Sequence, residues 1–186
     1  MYPGMNTDTI VRGEVAAVHQ DSFEDYVHAS GPRLKRLAFL LTGDLDQAED
    51  LLQSAYAKAM PHWGKVRGYD VPDAYMRRVM YSIRTSWWRR SRGREVSVPE
   101  PPERAVATAG VDDAVVDTQA LLDALRSLPD RQRAAVVLRH WCDLSEAETA
   151  ETMGCSLGTV KSTTSKGLAS LRAALDAPTA VHPKER

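Results

Sequence analysis

The chain has 186 residues, 43% of them hydrophobic and 26% charged, and 24 Lys and Arg nearly balance 25 Asp and Glu for a net charge of −1. That is the size of one domain or two small ones, with the composition of an ordinary globular protein. No apolar run approaches the ~20 residues of a membrane-spanning helix, so no membrane insertion is expected. Met1 to Asp21 lacks the basic stretch and apolar core of a secretory signal, and Cys142 and Cys155 are too few for a disulfide framework, so reduced thiols in a cytoplasmic protein are expected.

Residues 1–21 mix Gly, Pro, Thr and Asp with little periodicity and read as a flexible arm. Ser22 followed by Asp25 is a capping signal that opens a helix to about Leu41. Thr42-Gly43-Asp44 breaks it, and a second helix runs from Leu45 to about Met60. Pro61 and Gly64 mark 61–72 as a loop. Asp73 is placed to cap a third helix, from about Ala74 to Arg90. Between Glu95 and Asp117 six acids face the single base Arg104, among Pro99, Pro101 and Pro102. Such a stretch reads as a flexible acidic linker, 93–118, whose end already tends toward helix. Helical spacing returns at Leu121, Leu122 and Leu125 and stops at Leu128-Pro129. A helix from Asp130 to about Trp141 follows. Ser145 with Glu148 caps a short helix to Met153, Gly154-Cys155-Ser156 is a turn, and a longer helix runs from Leu157 to about Leu175. Residues 177–186 read as a flexible tail. No segment alternates like a strand. The expected fold is therefore all-α: two small helical domains, 22–92 and 119–176, joined by the linker.

Three stretches carry chemistry. On a helical wheel Met76, Val79, Met80, Ile83 and Trp87 share the core face of the third helix. Around it stand Arg77, Arg78, Arg84, Arg89, Arg90, Arg92 and Arg94, with no acid between Ala74 and Arg94 and with Tyr75, Tyr81 and Trp88 interleaved. Guanidinium groups bind phosphate bidentately and aromatic rings stack on unpaired bases, so this face suits a nucleic acid. A merely solvated basic face stays open as the alternative. Next, 145–175 has the pattern of a helix-turn-helix. Leu157, Val160, Thr164, Leu168 and Leu171 face inward. Thr159, Ser162, Thr163, Lys166 and, at the edge, Ser165 point away, toward base edges and phosphates in a major groove. Last, the second helix carries Leu45, Ala48, Leu52, Ala55, Tyr56 and Ala59 on an apolar face and Asp46, Glu49, Asp50 and Gln53 on an exposed acidic one. By itself that is a solvated face, favoured near a helix N-terminus.

The stretches Asp46-Gln47-Ala48-Glu49-Asp50-Leu51-Leu52-Gln53, Ala74-Tyr75 with Trp87-Trp88-Arg89-Arg90, Leu128-Pro129-Asp130-Arg131-Gln132-Arg133, and Leu144-Ser145 with Gly158-Thr159-Val160-Lys161-Ser162 occur in this order around an acidic linker. Together they resemble the extracytoplasmic-function branch of the sigma-70 family of RNA polymerase sigma factors, over about 22–175. Thr85-Ser86-Trp87-Trp88 and Glu146-Ala147-Glu148-Thr149-Ala150 resemble an actinobacterial subfamily most.

The resemblance implies roles. The first domain would be region 2, which docks on the β′ clamp helices of core RNA polymerase through Asp46, Glu49, Asp50 and Gln53. It would read and melt the promoter −10 element through Trp63, Arg67, Tyr75, Arg78, Ser82, Arg84, Trp88 and Arg89, with a flipped base received by the loop 61–72. The second domain would be region 4, reading the −35 element through Ser156, Thr159, Lys161, Ser162, Thr163, Ser165 and Lys166 and binding the β flap. The acidic linker would follow the path later taken by RNA. An anti-sigma factor is a possible further partner. Ser82 and Thr163 depart from the family, many of whose members carry Asn and Arg there.

Nothing else in the sequence points to chemistry. Cys142 and Cys155 lack the second Cys or His pair of a zinc site and read as small buried hydrophobes. There is no nucleophile–base pair and no phosphate loop, so neither an enzyme nor a cofactor is expected. An autonomous helix-turn-helix regulator would usually dimerise on a palindromic site, and no dimerisation helix is evident. A pure protein-interaction module leaves the arginine run unexplained.

Overall fold

A computed structural model describes residues 22–68, 72–92 and 113–176. The expected arm, tail and most of the expected linker lie outside the described residues. Among those described every regular element is helical: α1 (Phe23–Thr42), α2 (Leu45–Ala59), α3 (Trp63–Val66), α4 (Pro72–Arg92), α5 (Asp113–Ser127), α6 (Asp130–Val136), α7 (Glu146–Met153) and α8 (Leu157–Asp176). A short 3-10 turn, Met60–His62, joins α2 to α3, and a π-helical turn, Val137–Trp141, extends α6.

The helix starts are set by side-chain caps. The Ser22 hydroxyl accepts the Asp25 N–H and the Asp44 carboxylate accepts that of Gln47. Each replaces a hydrogen bond that the first helical turn cannot make internally. Gly43 ends α1 at φ 77°, a left-handed conformation suited to glycine, and its N–H donates to the Phe39 carbonyl. Asp73 does not cap α4 as expected. The helix begins at Pro72, two residues before the expected Ala74, and the fixed φ of proline suits a first turn. The Asp73 carboxylate instead accepts from the Tyr26 hydroxyl at 2.8 Å and pairs with Arg33, tying α4 to α1. Burial first, and the neighbouring Asp73 carboxylate second, push the Tyr26 phenol well above its ordinary value, so it remains a neutral donor.

Residues 61–66 are helical, within the stretch 61–72 expected as a loop. Trp63 and Val66 explain this, because both are buried and one turn of helix puts them on the same side. The sequence also misplaces one core position on α2. Leu45 is 59% exposed at the helix start, and Leu51 takes its place in the core at 0%. Ile83 and Trp87, expected in the core, are half-buried at its edge. Helix α5 starts at Asp113, inside the segment read as linker.

The two halves of the chain are packed on each other. One hydrophobic cluster runs from Leu34, Leu37, Leu51 and Met80 in the first half to Leu125, Leu128, Ala134 and Val137 in the second. A smaller cluster of Ala135, Leu138, Leu144 and Met153 takes Tyr81 of α4 against its side. Each large aliphatic side chain so buried contributes roughly 1.5–3 kcal/mol. Helices α6 and α8 approach closely at Gly167, where a Cβ would stand 2.7 Å from Val136 Cγ2 and 3.1 Å from the Gln132 carbonyl.

Candidate nucleic-acid and polymerase interface

The acidic face of α2 is as the sequence places it. Ala48, Leu51, Ala55 and Ala59 are buried against α1 and α4, so Asp46, Glu49, Asp50 and Gln53 are all exposed on the opposite side. Glu49 is engaged by Lys35 at 2.7 Å. That pair is exposed on both sides, and such pairs contribute little and exchange readily.

Trp63 departs from its expected role. Its ring lies 4.8 Å from Tyr26 and 5.3 Å from Phe23, centroid to centroid, and only 7% of the residue is exposed. An aromatic cluster of this size holds the ring in the core, so the side chain is not presented to a DNA base in this conformation. Arg67 is exposed just beyond it. The residues that complete the turn to α4 lie outside the described set.

Helix α4 buries Met76, Val79 and Met80 and turns Arg78, Ser82 and Arg89 to the surface. Tyr75, Arg84 and Trp88 are half-buried. Arg89 Nη2 lies 3.4 Å from Ser86 Oγ one turn earlier. Two of the expected DNA-binding arginines are already paired within the chain. Arg78 forms an ion pair with Glu151, and Arg84 Nη2 lies 2.7 Å from Asp130 Oδ1. These acids stand 73 and 46 residues away in sequence, and nothing in their local pattern marks them as partners.

The helix-turn-helix geometry is present. Ser145 and Glu148 close a reciprocal capping box at the start of α7, with Ser145 N–H donating to Glu148 Oε2 at 2.8 Å. The side-chain and backbone hydrogen bonds from Ser145 hold the Glu148 carboxyl below its usual range. Gly154 ends α7 at φ 60° and the Cys155 N–H returns to the Ala150 carbonyl. Ser156 opens α8 by accepting the Thr159 N–H at 3.2 Å and sharing a 2.9 Å hydrogen bond with its hydroxyl. Val160 and Gly167 face inward, leaving Lys161, Ser162, Ser165 and Lys166 exposed and Thr159 and Thr163 half-buried along the outer face. Lys161 reaches Glu146 of α7 at 3.5 Å. Leu157, expected inside, is 50% exposed at the first position of α8.

An apolar groove of about 580 Å³ lies where α1, α5, the π turn and α8 meet, lined by Phe39, Leu40, Leu122, Val137, Trp141 and Leu171. Trp141 is 53% exposed at its edge, with the Arg36 guanidinium 5.9 Å from its ring centroid. Cys142 and Cys155 are half-buried free thiols packed on the smaller hydrophobic cluster, and burial pushes the Cys142 thiol up. Among the described residues no helix is long and apolar enough to cross a membrane, and no group of His, Cys, Asp and Glu is arranged to hold a metal.

Residues 26–94 match the family model of sigma-70 region 2, and residues 118–171 match that of sigma-70 region 4. The RNA polymerase sigma-E factor of Streptomyces coelicolor is 43% identical over 150 residues, covering 81% of this chain and 84% of that protein. The protein of the same name from Streptomyces avermitilis is 41% identical over 157 residues, covering 83% and 85%. Among solved structures, the sigma factor RpoE of Bartonella quintana, crystallised with the anti-sigma factor NepR, is similar with a TM-score of 0.68 at 26% identity, covering 86% of this chain and 99% of that one. With both family regions in order on one chain, and with relatives of this identity over most of their length, the chain belongs to the extracytoplasmic-function branch of the sigma-70 family of RNA polymerase sigma factors.

Proposed function

We propose a division of labour for this sigma factor, which binds core RNA polymerase and promoter DNA to initiate transcription. Residues 22–92 act as the −10 and polymerase-docking unit and 119–176 as the −35 unit, with 93–118 connecting them. Asp46, Glu49, Asp50 and Gln53 meet the basic surface of the β′ clamp helices, because a compact exposed acidic face steers and orients toward positive charge. Arg67, Tyr75, Arg78, Ser82, Arg84, Trp88 and Arg89 engage the −10 strand, the arginines on phosphates and the aromatic rings on unstacked bases. Trp63 is left out of this set because its ring is in the core. Ser156, Thr159, Lys161, Ser162, Thr163, Ser165 and Lys166 read the −35 element in the major groove.

The observation that carries the reading is the outer face of α8, where a capped helix presents hydroxyls and lysines and buries Val160 behind them. In this reading the apolar groove beside Trp141 receives the β flap or a helix of an anti-sigma factor. The protein works in the cytoplasm, where the polymerase is. It supplies binding energy rather than covalent chemistry. Melting costs a few kcal/mol per unstacked step, offset by capture of the exposed bases.

Run-off transcription on fragmented genomic DNA from the source organism, with core polymerase in the presence and absence of this chain, tests the proposal. Discrete transcripts that need both components are expected, and their start sites give the −10 and −35 sequences. Absence of such transcripts, with tight binding of the chain alone to duplex DNA, would replace the reading with an autonomous regulator.

A further inference from the structure

Between α4 and the start of α6 the chain leaves two adjoining hollows, which share Trp88, Asp130 and Arg131 as lining. The smaller, about 220 Å³, has Leu41, Tyr81, Ala134 and Met153 in its walls. The larger, about 550 Å³, is lined from α5, α6 and α8 by Arg126, Gln132, Arg133, Thr163 and Lys166. One end is therefore aromatic and apolar, and the other sets four cations against the single carboxylate of Asp130. Arg131 and Lys166 are exposed and, among the described residues, form no ion pair. Arg133 is buried, with 7% of its side chain exposed. Its Nη2 meets Asp130, while its Nε has no hydrogen-bond partner.

We propose that these joined hollows bind a purine nucleoside polyphosphate, with the base against Trp88 and Tyr81, its amino edge toward Asp130, and the phosphates on Arg131, Arg133 and Lys166. Trp88, Thr163 and Lys166 also belong to the set assigned above to promoter DNA. The inference rests on the cleft and not on that assignment, because Tyr81, Asp130, Arg131, Arg133 and Met153 lie outside the set.

The ligand class follows from the pairing of the two ends. A guanidinium group takes phosphate oxygens two at a time, and charge-assisted hydrogen bonds of this kind are the strong ones. An aromatic ring stacks on any base. A phosphate without a base would leave the aromatic end empty, and an apolar ligand would leave the cations unmatched. Asp130 fits the same reading. Arg84 and Arg133 both bond its Oδ1, and a carboxylate has further lone pairs for the N–H groups of a base edge, whereas it repels phosphate. Burial lowers the pKa of Arg133, Asp130 only partly offsets this, and the nearby charge of Arg84 adds to it. A guanidinium so placed gains from a second anion at close range. The larger hollow by itself falls within the roughly 300–1,000 Å³ of small-molecule sites.

The test is isothermal titration calorimetry of the full chain with GTP and with ATP, beside guanosine, adenosine and inorganic tripolyphosphate. At least one nucleotide should bind at a single site per chain, and its nucleoside and tripolyphosphate should each bind about tenfold more weakly or worse. Arg131→Glu, at an exposed position of α6, should weaken the nucleotide about tenfold and leave the thermal midpoint of the free chain in place. Lys166→Glu should give the same loss from a second helix and guards against a folding defect at Arg131. Arg172→Ala, which removes an exposed cation of α8 outside the cleft, should leave nucleotide affinity as it is. No binding of either nucleotide up to about 1 mM overturns the proposal. Tripolyphosphate that binds as tightly as the nucleotide overturns the base end, and a nucleoside that does so overturns the phosphate end. Full affinity in both charge-reversed variants, or an equal loss in Arg172→Ala, overturns the location.

Discussion

Arg126 donates its Nε–H to the carbonyl of Gly43 at 2.8 Å, across 83 residues of sequence. The same arginine lays its guanidinium 5.6 Å from the Phe39 ring centroid and pairs with Asp123. The end of α1 is thereby stitched to α5, and the turn that separates α1 from α2 also joins the two halves of the chain. Gly43 is the pivot of this arrangement. Its φ is 77°, and a Cβ there would stand 2.9 Å from Arg126 Cγ and 3.1 Å from Arg133 Nη1.

Gly43→Ala should therefore destabilise the protein by about 2 kcal/mol, roughly 1 kcal/mol or more from the left-handed backbone and the rest from displacement of the two arginines. Arg126→Ala should cost less, about 1 kcal/mol, because the hydrogen bond, ion pair and ring contact it removes are solvent-exposed and their loss strains no backbone. Urea unfolding of both variants measures the difference. Equal midpoints for Gly43→Ala and the parent chain would show that the turn relaxes freely.

Gly167→Ala tests the close approach of α6 and α8. Its Cβ would meet the Gln132 backbone carbonyl at 3.1 Å as well as the Val136 side chain. Backbone cannot yield as a side-chain tip can, so overpacking of about 1–3 kcal/mol is expected despite the higher helix propensity of alanine. Thermal unfolding checks it, and a rise in the midpoint would mean that the helices part at little cost.

Asp50→Arg should weaken binding to core polymerase about tenfold, mainly through a slower association rate that converges with the parent at high salt. Glu49→Gln should have a smaller effect, since Glu49 is already engaged by Lys35. Fluorescence anisotropy of labelled sigma factor against core polymerase separates the two. Unchanged affinity of Asp50→Arg would remove the acidic face of α2 from the docking site.

Arg89→Ala should lower promoter affinity in the presence of polymerase and reduce the slope of log affinity against log salt by about 1, the signature of one lost phosphate contact. Core binding should be unaffected, because Arg89 lies on α4, away from the α2 face. An unchanged salt slope would show that this arginine does not touch the DNA backbone.

The capping box of α7 should make the C-terminal half sensitive to acid. Glu148 ordinarily titrates near 4.5 and is held lower by its hydrogen bonds from Ser145. A carboxyl depressed in the folded state adds stability above its unfolded value, and that stability is lost as pH falls through the folded value. Unfolding should thus become easier below about pH 4.5 in the parent chain, and Glu148→Gln should flatten this part of the profile. Denaturation midpoints between pH 6 and 3 measure it.

The sequence alone determined the helical class, most helix boundaries and the family. These depend on local signals: the caps at Ser22 and Ser145, the apolar spacing of α4 and α8, and the breaks at Gly43, Pro129 and Gly154. Residues a few positions apart decide them, so they are visible in one dimension. The burial of Trp63 against Phe23 and Tyr26, and of Leu51 in the core, was missed because a short window cannot see which side of a turn or helix meets the rest of the fold. The pairing of Arg78 with Glu151 and of Arg84 with Asp130 had no local signature at all. An exposed arginine and a paired one look alike in sequence. Only the packing of α4 against α6 and α7 decides that these carboxylates meet these guanidinium groups, because Coulomb attraction follows distance in space, and the fold alone sets that distance.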